Sequence, residues 1–86
     1  MGCMGVYMYA VDCFKHDWDY PGNDLGAPLK RASAALCQAA CKTTDGCTHF
    51  TYNRDNGDCW VKSGTIPVGK ELTSPSVISG PKECGT

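Results

Sequence analysis

Seven cysteines in 86 residues limit what this chain can become more than any other feature. Four of them stand within the thirty residues from Ser33 to Lys62, SAALCQAACKTTDGCTHFTYNRDNGDCWVK, so most of any covalent framework is decided there. A chain this short buries a modest share of its unfolded surface, and its core alone is marginally stable. Cysteine at this density belongs to small extracellular scaffolds, which predicts an oxidising native compartment.

The stretch divides into a helix and a hairpin. The Ser33 hydroxyl is placed to accept from an orphan N–H of a first helical turn. Ala34, Ala35, Leu36, Gln38, Ala39 and Ala40 favour helix, and Thr43, Thr44, Asp45 and Gly46 have the composition of a stop, which predicts a helix over Ala34–Lys42. Leu36, Cys37, Ala40 and Cys41 form its expected apolar face. From Cys47 the period becomes two: Thr48, Phe50 and Tyr52 alternate with Cys47, His49, Thr51 and Asn53. Asn56-Gly57 suits a tight turn, and Cys59-Trp60-Val61-Lys62 resumes the strand.

Residues i and i+4 of a helix project side by side, so a Cys37–Cys41 bond conflicts with disulfide geometry and each thiol must pair outward. Cys41 is close enough to Cys47, across the TTDG turn, for a bridge, and Cys37 can reach Cys59 on the second strand. Cys3, Cys13 and Cys84 then share one further bond. Spacing alone leaves about a hundred arrangements of six paired cysteines and one odd one.

Outside this stretch, Val6–Phe14 reads as an N-terminal strand and Lys15–Leu29 as a long polar connection with a turn at Pro21-Gly22. Ile66–Thr73 suggests a short edge strand broken by Pro67 and Gly69, and Ser76–Ser79 a last strand ended by Gly80-Pro81. Eight basic against nine acidic side chains give a net charge of −1, which argues against nucleic acid or an anionic membrane as partner. No apolar run has transmembrane length, and the absence of a signal peptide suggests an excised module or mature fragment with Met1-Gly2 as an added start. Val6 stands where N-myristoylation wants Ser or Thr.

The order of Cys37-x3-Cys41, Gly46-Cys47-x2-Phe50-Thr51-Tyr52-Asn53 and Cys59-Trp60-Val61-Lys62, with outer cysteines near both ends, resembles the apple domain of the PAN superfamily. The resemblance spans Cys3 to Cys84. It implies an α+β fold, one short helix cradled by a roughly five-stranded antiparallel sheet, in a single module covering 1–86 with its core at 3–84. It also implies Cys37–Cys59, Cys41–Cys47 and a bridge joining the ends. That end bridge is favoured as Cys3–Cys84 with Cys13 odd, and Cys13 is an alternative partner of Cys84. The odd cysteine is then a buried free thiol, an exchange partner or an intermolecular link. The Asp19–Leu25 segment is similar to apple modules in microneme adhesins of coccidian parasites, where such modules occur in tandem. That likeness implies a secreted adhesion module, stored in micronemes, whose partners are a host-cell surface protein or glycan and other adhesin subunits.

The residues offer little catalytic chemistry. Cys37, Cys41, Cys47, His49 and Cys59 have no standard zinc spacing, and oxidation removes the thiolates. Asp17-x-Asp19 resembles the start of a calcium loop, yet Pro28 stands where the bidentate Glu is required. His16 with Asp17, and His49 alone, make no nucleophile with a base. We therefore expect no enzyme, no cofactor and no metal. Binding remains. With Phe50, Tyr52, Cys59 and Val61 facing the helix, the pleat turns His49, Thr51, Trp60 and Lys62 to the other face. A Trp among hydrogen-bonding side chains suits a sugar platform or a protein hot spot, and equally a residue packed beneath the N-terminal strand or the Lys15–Leu29 connection. Trp18 and Tyr20 are the second candidates, as ligand contacts or as anchors of that connection. Either a lectin-like site for galactose-type or sulfated glycans or a structural, protein-assembling module fits.

Overall fold

Ser33 caps α1 (Ala34–Thr43), its hydroxyl accepting from the Leu36 N–H at 3.1 Å. The computed structural model describes residues 13–72 and 76–84. Thr44 closes the helix: its N–H donates to the Cys41 carbonyl and its hydroxyl to that of Ala40 at 2.7 Å, satisfying carbonyls that the helix end leaves open. The chain then forms β4 (Cys47–Asn53) and β5 (Asp58–Ser63). The turn between them differs from a two-residue Asn-Gly hairpin. Four residues connect the strands, and only Gly57 takes a positive φ, +79°, with its N–H bonded to the Asn53 carbonyl.

The other strands are short and come from segments with weaker signals. They are β1 (Lys15–His16), β2 (Trp18–Asp19), β3 (Leu29–Lys30), β6 (Lys70–Glu71) and β7 (Val77–Pro81). One antiparallel sheet runs β1-β7-β4-β5-β3, and β2 pairs with β6 in a separate ribbon. The fold is α+β with one helix on a five-stranded sheet. The expected strand at Val6–Phe14 lies outside the described residues except for Cys13 and Phe14, which precede β1. The polar connection contributes three strands, held by pairing rather than by composition, and β7 continues through Gly80 and Pro81.

Helix and sheet enclose the core. Ala34, Cys37, Ala40 and Cys41 of α1 are buried against Cys47, Phe50, Tyr52, Cys59, Val61 and Ile78. A register shift between Cys47 and His49 reconciles the two sides. Strict alternation would put Cys47 and Phe50 on opposite faces, and one extra residue in β4 turns both toward the helix. Leu36 departs from its expected place: it is 49% exposed. The buried stripe is centred on the two cysteines, whose bonds to the sheet fix the helix's rotation and leave Leu36 on its margin.

Three disulfides tie this arrangement: Cys37–Cys59, Cys41–Cys47 and Cys13–Cys84, with Cα separations of 5.5, 5.3 and 5.3 Å. The last corrects the Cys3–Cys84 pairing. Lys15 opposes Ser79 and His16 opposes Ile78, an antiparallel register that carries Cys13 and Cys84 to the same end of the sheet. The odd cysteine is therefore Cys3, which lies outside the described residues.

Two outcomes test these contacts. The Cys37→Ala/Cys59→Ala pair, which opens a 22-residue separation, should lower unfolding free energy by about 3 kcal/mol in a denaturant titration. Gly69→Ala should shift the midpoint too. Gly69 has φ +79°, and an added Cβ would overlap Trp18 Nε1 and come within 2.8 Å of the Asp19 carbonyl. Its backbone strain alone costs about 1–2 kcal/mol, and a displaced Trp18 should appear as altered tryptophan fluorescence.

Candidate functional site

β4 and β5 put His49, Thr51, Trp60 and Lys62 on the sheet face turned away from α1, with His49 opposite Lys62 and Thr51 opposite Trp60. That face is covered. Residues 17–25 cross it and are tied down along both margins. Asp17 N–H donates to the Val77 carbonyl, Leu25 N–H to that of Val61, and Ser63 N–H to that of Asn23. Trp18 O accepts from the Ser79 hydroxyl at 2.7 Å, and Ser79 Oγ lies 2.8 Å from Thr51 Oγ1. His49, Thr51 and Lys62 are consequently buried, while Trp60 stays half-buried.

A buried lysine requires a partner, since an unpaired ammonium out of water is costly. Lys62 Nζ has two: Asp24 Oδ1 at 2.5 Å and the Gly22 carbonyl at 3.1 Å. Only 4% of the Lys62 side chain is exposed, against 37% for Asp24, so the carboxylate stays partly hydrated while neutralising the ammonium. The left-handed backbone at Gly22 (φ +83°) and Asn23 (φ +61°) brings both acceptors over Nζ. The sequence signal for Asp24 was faint, because nothing in the order of residues says which acid of the connection meets Lys62.

His49 is fully buried, and its protonation state follows from hydrogen-bond arithmetic. The Thr48 hydroxyl donates to the Gly64 carbonyl at 2.6 Å, so its single hydrogen is not available to the imidazole. Nδ1, 2.8 Å from the same oxygen, must therefore carry a proton and donate. Nε2 is left as a bare acceptor, buried and without a hydrogen-bond partner. Burial lowers the His49 pKa from the usual 6.5, Lys62 lowers it further, and Asp24 partly opposes them. The Tyr20 ring meets this imidazole edge to face, with centroids 5.4 Å apart, and burial raises the Tyr20 phenol above its usual 10.

Beside the covered part a cleft of about 340 Å³ remains, walled by Asp19, Pro21 and Gly22 on one side and by Thr51, Asn53 and Trp60 on the other. It lies near the small end of ligand sites, about 300–1,000 Å³. Three of the six candidate residues, Thr51, Trp60 and Lys62, line it. Tyr20 and His49 instead pack on each other beneath the cover. Trp18 stands apart on the β2–β6 ribbon, where its Nε1 donates to the Val68 carbonyl at 3.2 Å and Lys15 Nζ lies 4.8 Å from the ring centroid. Asp19, Asp24 and Asn53 join the site without having been named as ligand contacts from sequence.

Among the described residues, two groups that could serve as nucleophiles are already engaged. Cys13 is bonded to Cys84 and offers no thiolate, and the Thr48 hydroxyl beside His49 has its hydrogen on a carbonyl. Among the described residues no cluster of His, Cys, Asp or Glu is arranged to hold a metal ion, and no helix is long and apolar enough to cross a membrane.

Comparison with known proteins adds a consistent set of relatives. A family model described as PAN domain matches residues 18–62, the span containing the cover, the helix and the hairpin. Micronemal protein 4 of Toxoplasma gondii is 52% identical over 40 residues, covering 46% of this chain and 7% of that protein. The major microneme antigen of Sarcocystis muris is 31% identical over 75 residues, covering 86% of this chain and 30% of the antigen. Microneme antigen L2 of the same species is 30% identical over 80 residues and is covered to 52%. The solution structure of the two N-terminal apple domains of Toxoplasma gondii microneme protein 4 superposes with a TM-score of 0.73 at 33% identity, covering 90% of this chain and 47% of that one. The chain thus spans about half the length, or less, of each of these relatives.

The Lys62–Asp24 pair gives a direct check on the cover. Asp24→Asn should destabilise by about 2 kcal/mol, the scale of a hydrogen bond to a charged group. Lys62→Met should cost less, because the apolar stem is replaced and Asp24 can take up water. A double-mutant cycle by denaturant titration should then show the two losses to be non-additive.

Proposed function

The chain belongs to the PAN domain family, and from that premise we propose that it is a non-catalytic extracellular adhesion module, binding host-surface ligands through the cleft beside Trp60. One observation carries the reading: a half-buried indole borders a small cleft together with carboxylate, amide and hydroxyl groups. A pyranose has an apolar face and a rim of hydroxyls. Trp60 supplies stacking area for the first, while Asp19 and Asn53 supply acceptors and donors for the second. Lys62, the cation among the described residues lining the cleft, is already held by Asp24. A neutral, galactose-type glycan therefore suits the cleft better than a sulfated one.

In this reading the module is one of several in tandem within a secreted adhesin stored in micronemes, a placement supported by the names of its relatives. The matched relatives, from Toxoplasma and Sarcocystis, carry the family rather than any one protein within it. A second reading, a module that assembles adhesin subunits without touching glycans, is favoured by the outer side of α1. There Ala35, Leu36 and Ala39 are exposed together on an otherwise regular helix.

A glycan array with the isolated module separates the two. The first reading predicts binding that free sugar competes away and that Trp60→Ala weakens by about thirtyfold, the ~2 kcal/mol of a tryptophan hot spot. The second predicts no glycan response, and capture of a partner subunit that Leu36→Glu abolishes.

A further inference from the structure

The fully buried imidazole of His49 is the feature that the binding reading leaves unused. We propose that the contact between His49 and Tyr20 is an acid-released latch: proton uptake at Nε2 unseats Tyr20 and so shifts the Pro21 wall of the cleft. The inference goes beyond the binding reading, because the latch acts on the outer layer of the fold whatever the cleft takes.

The geometry dictates where a proton must go. Nδ1 already donates to Thr48, so protonation adds a hydrogen at Nε2, where no acceptor stands. The new cation would face Lys62 across the β4–β5 ladder. From β7, Pro81 opposes His49 and brings no charge. From the cover come Tyr20, whose ring stands nearly perpendicular to the imidazole, and Asp24, the acid already engaged by Lys62. A buried donor without an acceptor and a second positive charge can both be relieved by water, and the adjacent Tyr20 is the group whose movement admits it.

The cover is built to yield at that point. Asp17 and Trp18 are held by Val77 and Ser79, and Asn23, Asp24 and Leu25 by Ser63, Lys62 and Val61. Between these anchors the Tyr20 N–H makes only a 3.4 Å bond to Thr51 Oγ1 and Pro21 is exposed, while the Gly22 carbonyl is itself anchored by Lys62 Nζ at 3.1 Å. Tyr20 and Pro21 can therefore lift while both flanks stay attached. Burial and Lys62 already hold the imidazole neutral below its ordinary range. A lowered folded-state value means that the closed form is favoured above the ordinary pKa of 6.5 and progressively lost as pH falls below it.

The test is amide hydrogen exchange and histidine NMR between about pH 7.5 and 4.5, with His49 resolved from His16, the other histidine of the chain. The latch predicts that the protection factor of the Tyr20 amide falls as pH drops below 6.5, by at most about tenfold per pH unit, while those of Phe50 and Val61 hold. His49→Gln should abolish that fall. Since a substitution at a buried site can also disrupt folding, Tyr20→Ala serves as the second variant and should raise the His49 midpoint toward 6.5. Constant Tyr20 protection across the range, a fall that persists in His49→Gln, or a His49 midpoint unmoved by Tyr20→Ala would each overturn the proposal.

Discussion

The two bonds from α1 to the hairpin, Cys37–Cys59 and Cys41–Cys47, set everything else in this molecule. A helix of ten residues is below the length at which isolated helices persist in water, and a two-stranded hairpin is marginal by itself. Joined twice, they become one unit whose relative rotation is fixed. That explains why the buried stripe of α1 follows the cysteines rather than the largest apolar side chain. It also explains the irregular start of β4, since Cys47 has to reach the helix and Phe50 has to fill the space beneath it. The Phe14 ring meets Phe50 at right angles, 5.5 Å between centroids, and extends that core toward the Cys13–Cys84 bond.

With the inner face committed to the helix, the outer face is free to vary, and the sequence has used that freedom unusually. It carries a histidine, a threonine, a lysine and a serine where an ordinary covered sheet would carry aliphatic residues. Three are answered by hydrogen bonds from the segment laid over them, Asp24 and Gly22 for Lys62, Trp18 O for Ser79 and the Tyr20 N–H for Thr51, while His49 meets the Tyr20 ring with Nε2 left unpaired. Polar satisfaction rather than apolar burial holds this second layer, so it is the part with least reason to be rigid. The cleft beside Trp60 sits at the margin of that layer, and its shape depends on the same few contacts.

What could be read from the sequence was whatever local chemistry decides. The Ser33 cap, the alanine-rich run and the alternation from Cys47 to Lys62 gave the helix and hairpin, and the resemblance extended them to the whole fold. Leu36 was misplaced because helical spacing admits a stripe centred on either side of Cys37, and only the disulfides choose. The end bridge was misassigned because Cys13 is carried to Cys84 by the pairing of β1 with β7, a long-range register that leaves no local trace. The four outer-face candidates were placed on the correct face, and burial beneath the Lys15–Leu29 connection was weighed for Trp60, but the residues it buries are His49, Thr51 and Lys62. A polar connection with no period gives no sign of where it will cross a sheet, and Asp24 became significant only once Lys62 was seen beneath it.

The central claim is covalent, and peptide mapping of the protein without reduction addresses it most directly. The account predicts three linked peptide pairs, Cys37 with Cys59, Cys41 with Cys47 and Cys13 with Cys84, and Cys3 in none of them. Recovery of Cys37 linked to Cys41, or of Cys84 linked to Cys3 with Cys13 free, would contradict it.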